Sequence, residues 1–196
     1  MVDRETVTTY SEKAGDYAAL GCNRGEQNQL NAFLALLPAG GSILDLGCGP
    51  GFHAEFMMNK GFAVRAMDAT PAFIEAAQAR GVDAALGHFD DLSDVAAYDG
   101  IWANFSLLHA PKDKFPHHLA AIHLALKPHG VFYLGLKLGK GEKRDSLGRF
   151  YAYFEEVELR DYLQQAGFTN ITASYGEGPG LTGSIDKFII LTAWRA

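Results

Sequence analysis

Cysteine is scarce in this chain: Cys22 and Cys48 are the two present, and they show no C-x-x-C spacing. That excludes a disulfide framework and gives no sign of a zinc knuckle, so no metal is expected. Long apolar runs are missing too. No stretch approaches the roughly 20 residues that cross a bilayer, and the opening Met1-Val2-Asp3-Arg4-Glu5 is too polar for a signal peptide. A cytoplasmic protein without a membrane partner is the expectation. Cations are outnumbered, 17 against 23, for a net charge of −6. This disfavours nonspecific contact with anionic nucleic acid. Internal repeats, low-complexity tracts and interdomain linkers are also absent. A 196-residue chain that is 48% hydrophobic can bury one proper core.

Apolar runs and helical periodicities alternate along most of the chain. Ser42 to Leu46, Phe62 to Asp68, Val82 to Leu86, Gly100 to Phe105 and Gly130 to Leu138 read as strands. Helices fit between them, from Phe52 to Gly61, from Pro71 to Gly81 with Thr70 as N-cap, and from Phe115 to Leu126. A further helix fits Glu156 to Ala166, before two last strands at Ile171 to Tyr175 and Phe188 to Trp194. The last two are joined by Gly176 to Gly183, too short for a parallel crossover, so they form an antiparallel pair. The expected fold class is α/β: a three-layer, Rossmann-like, doubly wound sheet of seven strands with the last antiparallel. Residues 1–40 would form a helical cap on a 41–196 core within a single domain. In that cap, Tyr10, Ala14, Tyr17 and Ala18 share one helix face, and Leu30, Phe33, Leu34 and Leu37 share another.

The run Ile43-Leu44-Asp45-Leu46-Gly47-Cys48-Gly49-Pro50-Gly51 carries the chemistry. A strand that ends in glycines lets bare backbone approach a ligand. It does not fit a dinucleotide, because Phe52 stands where the third glycine of G-x-G-x-x-G belongs and Pro50 removes a donor for pyrophosphate. Asp45 would repel phosphates but suits a cation, and a phosphate-free cofactor with an ammonium group fits: S-adenosylmethionine. Asp68 ends the second strand roughly 20 residues beyond the first glycine, the arrangement that binds a ribose diol. Cys48 is a small residue within the turn.

These strings, with AMDATPAFIEAA, YDGIWANFSLLHAP, LKPHGVFYLGLK and ELRDYLQQAGF, resemble the class I S-adenosylmethionine-dependent methyltransferases. Within them, the likeness is to the small bacterial tellurite-resistance-type group. The resemblance implies methyl transfer by in-line displacement, with S-adenosylhomocysteine as the product. It implies a lid in which Tyr10 and Tyr17 reach over the cofactor. The turn after the third strand usually reads Gly-Asp-Phe in such relatives and meets the adenine; this chain has Gly87-His88-Phe89. His88, Phe89 and Asp90 or Asp91 are therefore the adenine candidates. Asn104 and Phe105 end the fourth strand without the prolines of nucleic-acid amino methyltransferases, which points away from that chemistry.

The carboxyl ends of the strands collect Asp45, Gly47, Cys48, Gly49, Asp68, Ala69, His88, Phe89, Asp90, Asn104 and Phe105 as cofactor candidates. His109 is the general-base candidate, with pocket ordering as its plainer role. Five of seven histidines lie between His109 and His129, but without a ligand face; structural or surface roles are expected. From Lys137 to Phe150, five cations face two acids, an excess of three. This loop, with Lys137, Arg144, Arg149 and Tyr151, is the candidate lid for a small, anionic acceptor. Two other readings stay open: a silent S-adenosylmethionine-binding module and a nicotinamide-dependent oxidoreductase. Oligomeric state is not readable.

Overall fold

The computed structural model describes residues 3–19 and 21–196. Three helices come first: α1 (Arg4–Glu12), α2 (Ala14–Ala18) and α3 (Arg24–Leu34). The alternating part is β1 (Ser42–Leu46), α4 (Phe52–Asn59), β2 (Ala63–Asp68), α5 (Pro71–Ala79), β3 (Asp83–Leu86), β4 (Tyr98–Asn104), α6 (Phe115–Ala125) and β5 (Leu126–Lys137). A small hairpin, β6 (Glu142–Arg144) and β7 (Phe150–Ala152), precedes α7 (Glu156–Gln165), β8 (Phe168–Pro179) and β9 (Ile185–Arg195). The seven-stranded sheet runs β3-β2-β1-β4-β5-β9-β8, and β9 pairs antiparallel with both neighbours. This is the doubly wound arrangement expected, with its order reversing between β1 and β4.

Period-two alternation loads both faces of the sheet. Leu44 and Leu46 of β1, Ile101 and Ala103 of β4, and Phe132, Leu134 and Leu136 of β5 join the core under α6 and α7. Ile43, Trp102, Val131 and Tyr133 point the other way, into a core shared with α3, α4 and α5. There Trp102 stacks on Tyr133, centroids 3.6 Å apart, and Phe33 closes on the indole at 5.3 Å. Leu30, Phe33 and Leu34 of α3 are buried, so α3 is a core helix, while Leu37 lies past its end.

Several details depart from the sequence reading. Tyr10, Ala14, Tyr17 and Ala18 do not share one helix, because the chain breaks at Lys13 between α1 and α2. Thr70 occupies the N-cap of α5, but its side chain makes no capping bond; its N–H donates to Asp68 Oδ1 at 2.8 Å. The glycine-rich join of the last strands is largely strand, since β8 runs to Pro179 and β9 starts at Ile185. Residues after β5 are not an open loop: β6 pairs with β7, and α1 packs onto the turn between them. Thr6 Oγ1 accepts from Phe150 N at 2.8 Å, Thr9 Oγ1 donates to Leu147 O at 2.9 Å, and Arg144 pairs with Asp3 and Glu5.

If α3 is core, Leu30→Ala should lower unfolding free energy in urea by roughly 2–5 kcal/mol. Leu36→Ala, at a half-exposed position, should cost less than about 0.5 kcal/mol. Equal small losses would mean that α3 contributes no core.

Candidate active site

Where the sheet order reverses, the turns after β1 and β4 meet. Ser106 Oγ donates to Leu46 O at 2.5 Å, and a Cβ at Gly47 would lie 2.2 Å from the Ser106 Cβ. Gly47 has φ +83° and Gly49 φ +54°, yet the space beside Gly49 is open. The Gly47 and Cys48 N–H groups donate to Met67 O, and Gly49 N donates to Asp68 Oδ2 at 2.9 Å. Asp68 thus stands fixed at the lip, both carboxylate oxygens tied to backbone and each with a lone pair left for a hydroxyl. Burial raises its pKa, against the N–H groups of Gly49 and Thr70.

Asp45 needs a correction. It does not sit at the mouth of β1 but is 1% exposed beneath the turn, and its Oδ2 has no partner. Burial, then the charge of Asp68, pushes its pKa up to about 8. A second buried acceptor without a partner, Asn104 Oδ1, lies at the end of β4. Phe105 follows in the left-handed region at φ +54°, a strained conformation for a side chain of its size. Open space at Gly49, the free lone pairs of the Asp68 carboxylate and the unsatisfied acceptor at Asn104 fit a nucleoside cofactor, while Asp45 lies outside that set.

Gly49, Asp68 and Asn104, but not Asp45, line one cavity of about 720 Å³, within the range of ligand sites. Gly47, Cys48, Gly49, Asp68, Ala69, His88, Phe89, Asp90, Asn104 and Phe105 all reach it. His88 N donates to Asp91 Oδ2 at 2.8 Å while its buried Nδ1 has no partner; Phe89 meets the buried His118 ring edge-on at 5.6 Å. His118 also lies 3.7 Å from Asp90.

The wall built by α1 and the hairpin is aromatic. Tyr10 meets Tyr17 at 5.2 Å and Phe73 at 5.6 Å. His109 Nδ1 is 2.6 Å from Phe150 O, a pure acceptor, so Nδ1 carries the proton and Nε2 accepts from the Tyr10 hydroxyl at 2.7 Å. Arg149, 1% exposed, donates to Tyr10 Oη at 3.2 Å and is paired with Asp145 at 2.6 Å. Burial pushes the His109 pKa down to about 4, with the Phe150 carbonyl opposing and Arg149 and Lys137 assisting. Burial likewise holds the Tyr10 hydroxyl well above its ordinary value. His109 is therefore a weak base whose lone pair is already engaged.

The basic excess of the 137–150 segment is cancelled by acids from elsewhere. Lys137 pairs with Asp186 at 2.7 Å and lies 4.2 Å from the Tyr151 ring; Lys140 pairs with Glu155 at 3.2 Å. Arg144 does not line the cavity: Asp3 takes it at 2.7 Å and Glu5 at 3.2 Å. That pairing holds Asp3 well below the usual carboxylate range. Lys137, Arg149 and Tyr151 do line the cavity, the two cations each with its own carboxylate.

Residues that the sequence did not single out complete the opposite wall. His53, Glu26 and Gln29 line it. Trp102 Nε1 donates to His53 Nδ1 at 3.2 Å, and Tyr133 Oη donates to Gln29 Oε1 at 3.0 Å. Burial pushes the His53 pKa down to about 4. His53, Glu26 and Cys22 each place one polar atom within 4.8 Å of the others. Asn23-x-x-Glu26 is legible as a capping box, which marks a helix start rather than a site.

Residues 43–130 match the family profile described as a methyltransferase domain. That match spans less than half of the chain; the sheet order and the glycine turn are those of a Rossmann-like methyltransferase fold. Among curated proteins, trans-aconitate 2-methyltransferase of Mycobacterium tuberculosis (strain ATCC 25177 / H37Ra) is 32% identical over 72 residues, 36% of this chain and 28% of that one. Hemagglutinin 1 of Eikenella corrodens is 26% identical over 150 residues, 68% of this chain and 49% of that one. The chain thus matches less than half the length of either relative. A solved structure of Burkholderia thailandensis 1,6-didemethyltoxoflavin-N1-methyltransferase, with 1,6-didemethyltoxoflavin and S-adenosylhomocysteine bound, superposes with TM-score 0.77 at 24% identity. The overlap covers 98% of this chain and 88% of that one. A S-adenosylmethionine-dependent methyltransferase from Methanosarcina mazei gives TM-score 0.74 at 19% identity, over 84% and 96%.

Gly47→Ala should fail to fold stably, since its Cβ meets Ser106. Gly49→Ala should lose only about 1–2 kcal/mol of stability, from the left-handed backbone, yet lose most S-adenosylhomocysteine affinity; calorimetry and urea unfolding separate the two. His109 gives a second expectation. Its folded pKa lies below the unfolded value of about 6.5, so the unfolded chain takes up a proton first, and the stability contributed is lost as pH falls from about 6.5 to about 4. In His109→Gln the unfolding free energy should fall less over that window than in wild type, by about 2–3 kcal/mol; an unchanged slope would mean that His109 is not held neutral.

Proposed function

We propose that this chain transfers the methyl group of S-adenosylmethionine to a small, planar, uncharged acceptor by in-line displacement. One observation carries the reading: the glycine turn and the unsatisfied Asn104 acceptor open into a cavity lined by Tyr10, Tyr17, Phe73 and Tyr151, in which Lys137 and Arg149 are each paired with a carboxylate. When bound, the cofactor supplies an electrophilic methyl on a sulfonium; the residues described here bind, orient and exclude water. Gly47 and Gly49 give backbone access, Asp68 takes the ribose hydroxyls, and Asn104 and Phe105 close the strand-four side. The backbone and side chains of His88 to Asp90 border the adenine. Tyr10 and Tyr17 flank the transferring methyl, where ring faces suit a cation.

Holding two reactants in line is worth up to roughly 7–11 kcal/mol in favourable cases, so a strong base is not required. His109 acts in this reading as a positioning residue that fixes the Tyr10 hydroxyl. Lys137, Arg149 and Tyr151 shape the acceptor end. An anionic acceptor is disfavoured here because it would have to compete with Asp186 and Asp145. The Burkholderia thailandensis neighbour binds a 1,6-didemethyltoxoflavin, which supports a planar organic acceptor. Placement in the tellurite-resistance-type group belongs to this reading too, supported by the motif strings. So does a cytoplasmic site of action without a nucleic-acid partner, supported by the net charge of −6. No helix among the described residues is long and apolar enough to cross a membrane.

Titration calorimetry should show binding of both S-adenosylmethionine and S-adenosylhomocysteine and none of NADH. Asp68→Ala should weaken both by at least about tenfold, the loss of hydrogen bonds to a charged group. A well-folded protein that binds neither would overturn the proposal. Binding with no turnover across a broad acceptor panel would favour the silent module.

A further inference from the structure

The wall opposite Tyr10 has a hydrogen-bonding polarity that the cofactor reading does not use. Trp102 is fully buried, and its indole N–H can only donate; it donates to His53 Nδ1. A neutral imidazole that accepts at Nδ1 must carry its proton on Nε2. Among the described residues that Nε2–H has no partner, and His53 lines the cavity. Tyr133, stacked on Trp102, engages Gln29 Oε1 in the same way and leaves the Gln29 amide hydrogens. Beside them is Glu26, one of whose oxygens accepts from Asn23 N at 2.8 Å while the other is uncommitted. A donor on His53 and an acceptor on Glu26 thus line the same cavity, on residues that approach within 4.8 Å of each other through one polar atom apiece.

Cys22, Glu26 and His53 have the residue types and proximity of a metal site, but the tautomer argues against one. With Nδ1 taken by an indole donor, Nε2 has no lone pair for an ion unless the indole bond is given up, which would leave a buried N–H unsatisfied.

We propose that His53 and Glu26 form a paired recognition edge for a lactam, the adjacent C=O and N–H of a heterocyclic acceptor: His53 Nε2–H donates to the carbonyl and the Glu26 carboxylate accepts from the N–H. This names the acceptor class within the methyltransferase reading and rests on it. The pairing is the same complementary logic by which a side-chain amide reads a base edge. It also gives the stacked Trp102 and Tyr133 a role beyond packing, since each fixes which atom of a wall residue is left for the ligand.

Two measurements on the full chain test it. Long-range proton–nitrogen correlation spectra of labelled protein should show His53 as the Nε2–H tautomer, with Trp102→Phe allowing the other tautomer to appear. Then 2-pyridone, N-methyl-2-pyridone and pyridine are titrated with S-adenosylhomocysteine saturating. 2-Pyridone should bind tightest, and His53→Phe and Glu26→Ala should each weaken it by about five- to tenfold with S-adenosylhomocysteine affinity unchanged. His53→Gln, which can accept from Trp102 and still donate, should retain binding. An Nδ1–H tautomer in wild type, no preference for 2-pyridone, or zinc binding that is lost in Cys22→Ser would each overturn the proposal. A protein that does not bind S-adenosylhomocysteine would overturn the methyltransferase reading instead, and the same titrations without it would then decide the His53–Glu26 pair alone.

Discussion

The close approach of two turns at the point where the sheet reverses its order is the constraint on which the site depends. Ser106, after β4, donates to the last carbonyl of β1, and that contact leaves no room for a side chain at Gly47. With the two turns locked, the path beside Gly49 stays open and Asp68 stands across it, itself held by two backbone N–H groups. The strained Phe105 and the unsatisfied Asn104 and Asp45 are the local cost of bringing these strand ends together. Such concessions are expected where a fold keeps a ligand site in readiness.

Charge in the 137–150 segment is governed by distant pairing. The 137–150 segment is basic by itself, yet Asp3, Glu5, Glu155 and Asp186 come from α1, the start of α7 and β9 to neutralise it. What the hairpin and α1 present to the cavity is largely aromatic, with Arg149 buried between Asp145 and Tyr10. The same contacts tie α1 to the hairpin, so the first helix and this wall of the cavity are one unit.

Two buried hydrogen-bond partners, a carbonyl and an indole, set the tautomers of the cavity's histidines. On one wall, the Phe150 carbonyl fixes His109 so that Nε2 faces Tyr10; on the other, Trp102 fixes His53 with its proton on the opposite nitrogen. Two histidines of similar burial and similarly low pKa thus present opposite faces, an acceptor already engaged and a donor left over.

The sequence by itself determined the alternating elements, the antiparallel last strand and the glycine turn with Asp68. Each is written in local signals: hydrophobic period, glycine and proline punctuation, and spacing along one strand-turn-helix unit. Its likeness to class I methyltransferases followed from those strings. The tertiary structure alone decided that Asp45 is buried, that Lys13 interrupts the first helix, and that Arg144 belongs to Asp3 rather than to a ligand. It alone brought His53 and Glu26 together. The reason is physical: burial, ion pairing and tautomer choice depend on groups that are far apart in the chain, and no periodicity records which distant side chain will arrive.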